Sequence, residues 1–419
     1  MKKRIVSAFL ALTFILAVLS GCSAQVKSHN LIDGITPDPV AVKTEFVNDE
    51  ARAVSDFAAE LLKQSYTSGT STVISPISVL YALAMTANGA DGETLSQMET
   101  VFGMDIDTLN EYLYSTVGVL PSDEGYDVDL ANSIWVNDNE EKFVVSEEFL
   151  KTVKSYYDAG VYMSAFDDAA LKDINNWVAQ KTNGQIQDIL DKIDSDAVMY
   201  LVNAINFEAD WLDGYNEYAV KDSKFTQADG RTQTGEFMYS GESVYLEDAD
   251  TTGFIKYYKD KKYAFAALLP NNEVKFDDYI ANLSGEKLAD LLLDAREVNV
   301  DAVMPKFETT FDIEMSRCFE NLGMTNAFDW RLADFSKMGQ AQQAGENVCI
   351  NRIIHKAFIR VAEKGTQAGA ATVVEMVAEG AMEAPEEIKN VRLDRPFVYM
   401  IVDTQNNLPV FIGTVCNID

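Results

Sequence analysis

The spacing of apolar residues along the chain predicts both helices and strands. Ser75 is a typical helix N-cap and Pro76 suits the first helical turn, and apolar residues then recur at helical spacing. Apolar residues at even positions across 128–136 predict a half-buried strand. Near the C-terminus, two apolar runs at 397–402 and 410–412 flank a polar turn, which predicts a buried hairpin. Helices mixed with antiparallel hairpins predict an α+β fold.

The N-terminus has the pattern of an export signal. Basic residues at 2–4 precede an almost unbroken apolar run at 5–19, which is shorter than the roughly 20 residues that span a bilayer. The residues that follow, Leu-Ser-Gly-Cys ending at Cys22, look like a bacterial lipobox, although an incidental cysteine after an ordinary signal is the alternative. We therefore expect a secreted lipoprotein, anchored through lipid on Cys22 at the cell surface or another extracytoplasmic face.

The rest of the chain divides into a short polar segment and one long unit. Residues 23–47 are polar, lack periodicity and contain Gly34, Pro37 and Pro39, as a tether does. The following part has no linker and no repeat, so it forms one large domain or two closely packed lobes. The predicted boundaries are a signal peptide at 1–21, a lipidated N-terminus and tether at 22–47, and the folded domain at 48–419.

Charge and cysteine content narrow the classes of partner. The formal net charge is −32 and becomes −35 when Lys2, Lys3 and Arg4 leave with the signal. Such a field disfavours nucleic acid and heparin-like polyanions, and it suits either a basic partner or a merely solvated acidic surface. The cysteines other than Cys22 are odd in number and lack metal-ligand spacing, so we expect buried apolar fillers rather than disulfides or a metal site: Cys318, Cys349 and Cys416.

The sequence contains few residues or motifs that indicate catalysis. The chain has two histidines, and one of them, His29, lies in the predicted tether. No nucleotide-binding loop, zinc-type histidine pair or nucleophile elbow occurs. His355 is either a general base or a hydrogen-bonded core residue, and its apolar neighbours favour the core. We predict a protein that is not an enzyme and needs no cofactor.

Segments in a fixed order along most of the chain resemble the serpin family. They read VISPIS at 73–78, ALAM at 82–85, NGADGET at 88–94, NNWV at 175–178, TNGQI at 182–186, LVNAINF at 201–207, MPKF at 304–307, LGM at 322–324, ADFS at 333–336, HKA at 355–357, EKGT at 363–366 and RPF at 395–397. The resemblance implies a serpin fold with three β-sheets, eight or nine helices and an exposed reactive-centre loop at about 366–391.

The resemblance also implies positions for the residues that support an opening sheet. Four would form the shutter, the hydrogen-bonded region beneath the strands that separate: Ser75, Ser78, Asn203 and His355. Three would form the breach, where the loop first inserts: Trp211, Lys306 and Glu363. We predict an ion pair between Lys306 and Glu363, and removal of one partner should leave a partly buried charge uncompensated. Simple support of the core is the competing interpretation for all seven.

The loop sequence favours insertion. As a strand, alternate residues from Thr366 to Met376 would form one uncharged face that begins with small side chains. The hinge contains no charged or bulky residue, and although its alanines also favour helix, Gly369 weighs against that: Gly365, Thr366, Gln367, Ala368, Gly369, Ala370, Ala371 and Thr372. The resemblance therefore implies a suicide-substrate inhibitor of serine endopeptidases, with cysteine endopeptidases as a further candidate class, which traps the acyl-enzyme by inserting the cleaved loop into sheet A.

The cleaved bond is less closely defined than the mechanism. The family spacing, counted from Glu363, places the reactive bond between Glu379 and Gly380, with alternatives at Ala378, Met376 and Met382. The expected partner is a target endopeptidase in a covalent complex, and the inhibitor itself is expected to be a monomer. A non-inhibitory serpin that acts as a surface binding module, and a purely structural surface lipoprotein, are the competing functions.

Overall fold

The computed structural model describes residues 26–43, 48–116, 126–138, 143–157, 159–195, 197–341, 348–366 and 387–418. Nine α-helices, α1 to α9 in chain order, lie in these ranges: Asn48–Ser65, Pro76–Ala87, Gly92–Phe102, Ile106–Thr116, Glu147–Tyr156, Asp168–Lys181, Phe276–Ala281, Gly285–Leu293 and Ser316–Asn321. Within the described residues, none of the helices has the length and apolar character needed to cross a membrane.

Eighteen strands, β1 to β18 in chain order, accompany the helices in the described part of the chain. Their bounds are His29–Asn30, Thr72–Ile74, Tyr126–Asn137, Phe143–Val145, Gly160–Ser164, Met199–Asp210, Val220–Thr226, Thr232–Glu247, Thr251–Tyr257, Tyr263–Pro270, Arg296–Pro305, Phe307–Glu314, Gly339–Ala341, Arg352–Val361, Gly365–Thr366, Ile388–Arg392, Phe397–Asp403 and Leu408–Val415.

The strands form three sheets over the described ranges. Sheet A has seven strands in the order β1-β5-β3-β6-β15-β14-β12. Sheet B has nine strands, eight of them in the order β16-β11-β8-β9-β10-β17-β18-β2, with β7 paired to β8. Strands β4 and β13 form a separate small pair. Three sheets and nine helices confirm the α+β serpin fold that the sequence predicts.

Helix α2 shows how local sequence signals and packing agree. The Ser75 side chain caps the helix by accepting a hydrogen bond from the backbone N–H of Ser78, and Pro76 occupies the first turn, as predicted. All twelve residues of α2 are buried. A helix that is apolar on every side has no solvent face, so α2 lies inside the core, where it contacts both sheet A and sheet B.

The predicted C-terminal hairpin is present and central. Strands β17 and β18 pair antiparallel, and every residue of both strands is buried. Strand β10, which is also fully buried, pairs with the other side of β17. An unbroken apolar sequence is what a strand needs when both of its faces are covered.

Part of the segment that the sequence predicts as a tether lies on the folded body. His29–Asn30 forms strand β1 and pairs with β5 at the edge of sheet A. The buried carboxylate of Asp173 on α6 accepts hydrogen bonds from the backbone N–H groups of Lys27 and Ser28. Lys43 forms an ion pair with Glu111 of α4. The pairing of β1 covers part of the sheet edge that β5 would otherwise form, and the other contacts hold the segment against α6 and α4.

Candidate functional site

The candidate site is the place where sheet A is already partly open. Strand β15 consists of Gly365 and Thr366, which lie between β6 and β14. Thr366 is paired with Val361 on one side and with Ala209 on the other, both antiparallel. The backbone N–H of Ala362 donates to the carbonyl of Gly365, which closes a tight hairpin turn. The first residues of the loop are therefore already the beginning of a strand.

Further from the loop, sheet A is closed. Strands β6 and β14 pair directly and in parallel over five residue pairs, from Tyr200 with Arg352 to Ala204 with Lys356. A strand that extends β15 would have to separate these pairs. It would be antiparallel to both neighbours, and antiparallel pairing is slightly more stable per residue than the parallel pairing it replaces.

A buried polar network lies under the closed part of the sheet. This His355 cluster consists of Ser75, Ser78, Asn132, Asn203 and His355, all of them buried. The side-chain amide of Asn203 donates to the hydroxyl of Ser78 at 2.6 Å and also to the side-chain oxygen of Asn132. The Ser75 hydroxyl donates to the carbonyl of Val410 in sheet B at 2.8 Å. The network thus joins β3, β6 and β14 of sheet A to helix α2 and sheet B.

The network also fixes the state of His355. Because the Asn203 amide nitrogen donates to its other partners, its oxygen faces Nδ1 of His355 at 2.6 Å, so Nδ1 carries the proton. Nε2 accepts from the backbone N–H of Ser75 at 3.3 Å and has no room for a second proton. Burial lowers the pKa of His355 to about 3. A neutral, fully buried imidazole with both nitrogens engaged is not placed to act as a general base.

Asn132 is a member of this cluster that the sequence reasoning missed. It lies on β3, directly opposite Asn203 in the register of β3 with β6. Its side-chain oxygen accepts from Asn203, while its Nδ2 is buried without a partner. An even-numbered polar residue among apolar ones in the predicted strand was the available signal.

Beside strand β15, aromatic residues hold the start of the loop. Trp211 and Tyr258 stack with ring centroids 4.3 Å apart. The hydroxyls of Tyr258 and Thr366 share a hydrogen bond of 2.6 Å, and burial raises the pKa of Tyr258, so the phenol is neutral. Trp211 Nε1 donates to the carbonyl of Ala362 at 2.9 Å. Tyr258 was not among the residues singled out from sequence, where its run of tyrosines and lysines gave no sign of a partner.

The predicted ion pair between Lys306 and Glu363 is present, with Nζ 2.6 Å from Oε1. The prediction was incomplete, because Lys306 also binds Glu236 at 2.8 Å. Burial opposes the charge on Lys306, but hydrogen bonds to both carboxylates outweigh it and raise the lysine pKa. Burial likewise opposes the charge on Glu363, and the bond to Lys306 outweighs it and lowers that pKa. Loss of Glu363 would therefore leave Lys306 paired.

The close approach of β15 to β6 requires a glycine. A Cβ added to Gly365 would overlap the carbonyl oxygen of Ala209 and crowd the backbone of Asp210. This is a steric requirement of the backbone rather than a conformational one. Trp211, Lys306, Glu363, Gly365 and Thr366 therefore meet at one point, as the sequence predicts, together with Tyr258.

Other predicted site residues lie outside the described residues. They are the hinge from Gln367 to Thr372, the reactive bond at Glu379 and Gly380, its alternatives Met376, Ala378 and Met382, and the lipidation site Cys22. At the far end of the predicted loop, Ile388–Arg392 forms strand β16, which pairs in parallel with β11. The predicted loop boundary of about 391 therefore includes part of a strand. Cys318 and Cys416 are buried thiols and Cys349 is partly buried.

Comparisons with known proteins agree with this geometry. A family model described as serpin (serine protease inhibitor) matches residues 52–418. An uncharacterized serpin-like protein of Thermococcus kodakarensis is 30% identical over 375 residues, which cover 87% of this chain and 85% of that protein. The crystal structure of the thermophilic serpin tengpin in its native state gives a TM-score of 0.88 at 42% identity, over 94% of this chain and 100% of that one. The crystal structure of tengpin in its latent state gives a TM-score of 0.79 at 41% identity, over 90% of this chain and 100% of that one.

Proposed function

Because this chain belongs to the serpin family, we propose that it inhibits serine endopeptidases as a suicide substrate, with cysteine endopeptidases as the alternative target class. The observation that carries the proposal is the position of Gly365 and Thr366 between β6 and β14. A cleaved loop needs no new starting point, since its first two residues already pair with both neighbouring strands. Strand growth from this hairpin would move an attached protease across the molecule.

The driving force is the backbone hydrogen bonding that the closed sheet lacks. A new central strand would form on the order of ten bonds, each contributing about 0.5–1.5 kcal/mol net. That sum is comparable with the whole stability of a typical domain. The uncleaved protein is therefore metastable and held by a kinetic barrier, to which the His355 cluster contributes because its hydrogen bonds join the strands that must separate.

Target and location complete the proposal. The cleaved bond is proposed at Glu379 and Gly380, within a region that extends to Met376, Ala378 and Met382. The protease serine or cysteine attacks the loop carbonyl, the C-terminal segment leaves with its new amino group, and an ester or thioester bond links the inhibitor to the protease. We further propose that lipid on Cys22 holds the inhibitor at an extracytoplasmic membrane face.

The test is the formation of a denaturant-stable complex. The mature chain would be incubated with elastase-like, trypsin-like, glutamyl and subtilisin-like proteases and run on denaturing gels, and mass spectrometry of the released C-terminal peptide would identify the cut bond. A complex of summed mass is expected with at least one protease. Cleavage without any complex, and without a rise in thermal stability of the nicked chain, would instead support the non-inhibitory binding module.

Two variants of Thr366 distinguish cleavage of the loop from its insertion. Thr366 is 1% exposed and bonded to Tyr258, so Thr366→Arg cannot be accommodated at the start of the new strand, whereas the sequence of the loop that the protease cuts is the same. We expect this variant to be cut at the same bond but to form little complex. Thr366→Ser keeps the hydroxyl and should behave as the wild type.

A further inference from the structure

A buried ion pair lies directly beneath the start of the loop. Lys256 of β9 is the one lysine among the fully buried residues of the described chain, and its side chain is 3% exposed. Its Nζ lies 2.8 Å from Oε1 of Glu242, whose side chain is 11% exposed. The Ser240 hydroxyl donates to the same carboxylate oxygen at 2.6 Å. Removing two charges from water is costly, and an apolar pair of similar volume is often equally stable. Stability alone therefore does not account for this pair.

The Lys256 ammonium also contacts two aromatic rings. It lies 4.5 Å from the ring centroid of Tyr215 and 5.5 Å from that of Trp211. Both distances are within the range of a cation–π interaction, which is stronger where the cation is buried, and the Lys256 side chain is 3% exposed. Glu242 pairs with the same ammonium, and the Ser240 hydroxyl also reaches the Tyr215 phenol at 3.4 Å. The charge pair thus contacts both rings through one ammonium group.

These two aromatic residues hold the turn from which the loop begins. The backbone N–H of Trp211 donates to the carbonyl of Lys364 at 2.6 Å, and that of Tyr215 donates to the carbonyl of Glu363 at 2.8 Å. Trp211 Nε1 donates to the carbonyl of Ala362. All three carbonyls between the end of β14 and the start of β15 are therefore bound by residues whose rings contact the Lys256 ammonium.

We infer that Lys256 is a positioning residue for loop insertion, acting through Trp211 and Tyr215 to hold the hairpin turn at 362–364 in register for the growing strand. The inference rests on the proposed inhibitory function. After cleavage, insertion competes with deacylation, which releases a cut inhibitor and a free protease. A turn that shifts between registers slows insertion, so a larger fraction of the encounters ends in release of free protease and cut inhibitor.

The test removes the charge pair without leaving an unpaired charge. The variant Lys256→Met with Glu242→Gln keeps the packed volume, and Lys256→Gln with Glu242→Gln keeps a neutral hydrogen bond and carries the same comparison if the first does not fold. Lys287 supplies a matched control, because it also contacts a tyrosine ring, that of Tyr279 at 4.8 Å, and pairs with acids, but lies away from the turn.

We expect insertion to slow about fivefold, the factor that corresponds to about 1 kcal/mol of lost cation–π interaction. The moles of inhibitor consumed per mole of protease should rise accordingly, while the rate of the first encounter and the thermal unfolding midpoint stay near those of Lys287→Met. Lys256→Arg keeps a cation over both rings, has room in the adjoining cavity of about 720 Å³, and should restore the wild-type value.

The outcomes separate the two proposals. If the wild-type chain forms no complex with any protease, the inhibitory function fails. If the wild type forms a complex and the charge-pair variants consume no more inhibitor than Lys287→Met does, the role of Lys256 alone is overturned. An equal loss of thermal stability and of inhibition in the charge-pair variants, without rescue by Lys256→Arg, would reduce the pair to general support and would also overturn the inference.

Discussion

Protonation of His355 should weaken the native state in mildly acidic solution. The imidazole is fully buried, donates through Nδ1 to Asn203 and accepts through Nε2 from the backbone of Ser75. A second proton on Nε2 would meet the Ser75 N–H and would place an unpaired charge in the core. The folded state therefore keeps the neutral form long after an unfolded chain has become protonated.

The magnitude follows from the two pKa values. Burial lowers the pKa of His355 from 6.5 to about 3. Because the folded pKa is the lower one, stability is undiminished above the unfolded value and is lost as the pH falls from 6.5 towards 3. Each pH unit within this window costs about 1.4 kcal/mol, so about 2 kcal/mol should be lost between pH 6.5 and pH 5.

The assay compares the wild type with His355→Gln, which offers one donor and one acceptor but does not titrate. The free energy of native-state unfolding would be measured by denaturant titration at pH 7.5 and at pH 5. Carboxylates contribute to both proteins and cancel in the difference. His29 is the other histidine of the sequence and is exposed on β1, so His29→Gln is the matched control.

We expect the wild type and His29→Gln to lose about 2 kcal/mol more than His355→Gln over this interval. His355→Gln should be less stable than the wild type at pH 7.5, and the difference in unfolding free energy should be smaller at pH 5. An identical pH dependence in all three proteins would refute the reasoning, because it would mean that His355 accepts its proton in the folded state without loss of the network.

Further predictions concern the start of the loop. Glu363→Gln should cost less than about 1 kcal/mol in unfolding free energy, since the pair is partly exposed and screened and Lys306 keeps Glu236. Lys306→Met should cost more than Glu363→Gln in the same titration, because it removes the cation to which both carboxylates are hydrogen-bonded, and the reverse order would contradict this account. Gly365→Ala should displace β15 and raise the moles of inhibitor consumed per mole of protease several-fold. Gly241→Ala is the control, because a Cβ there meets nothing within 4 Å, and it should leave this ratio unchanged. The same ratio for both variants would show that inhibition does not need β15.

Local sequence signals were sufficient where the structure is decided by neighbouring residues. The cap of α2 at Ser75 and Pro76 needs only the residues of its own first turn. The hairpin of β17 and β18 needs two apolar runs and a short turn. The ion pair of Lys306 with Glu363 was available through the family resemblance, because both residues stand in recognisable motifs.

The sequence alone therefore determined the family and the α+β fold, and through the family resemblance it indicated which residues meet in the His355 cluster and at the start of the loop. It could not determine which side chains complete those regions. The local sequence pattern predicts only a strand or an exposed surface at the positions of Asn132, Glu236, Lys256 and Glu242. The N-terminal segment has the pattern of a tether, although residues 26–43 contact the folded body. The physical reason is that a hydrogen bond or an ion pair depends on the partner that the sheet register brings opposite, and that partner is decided only when distant strands assemble.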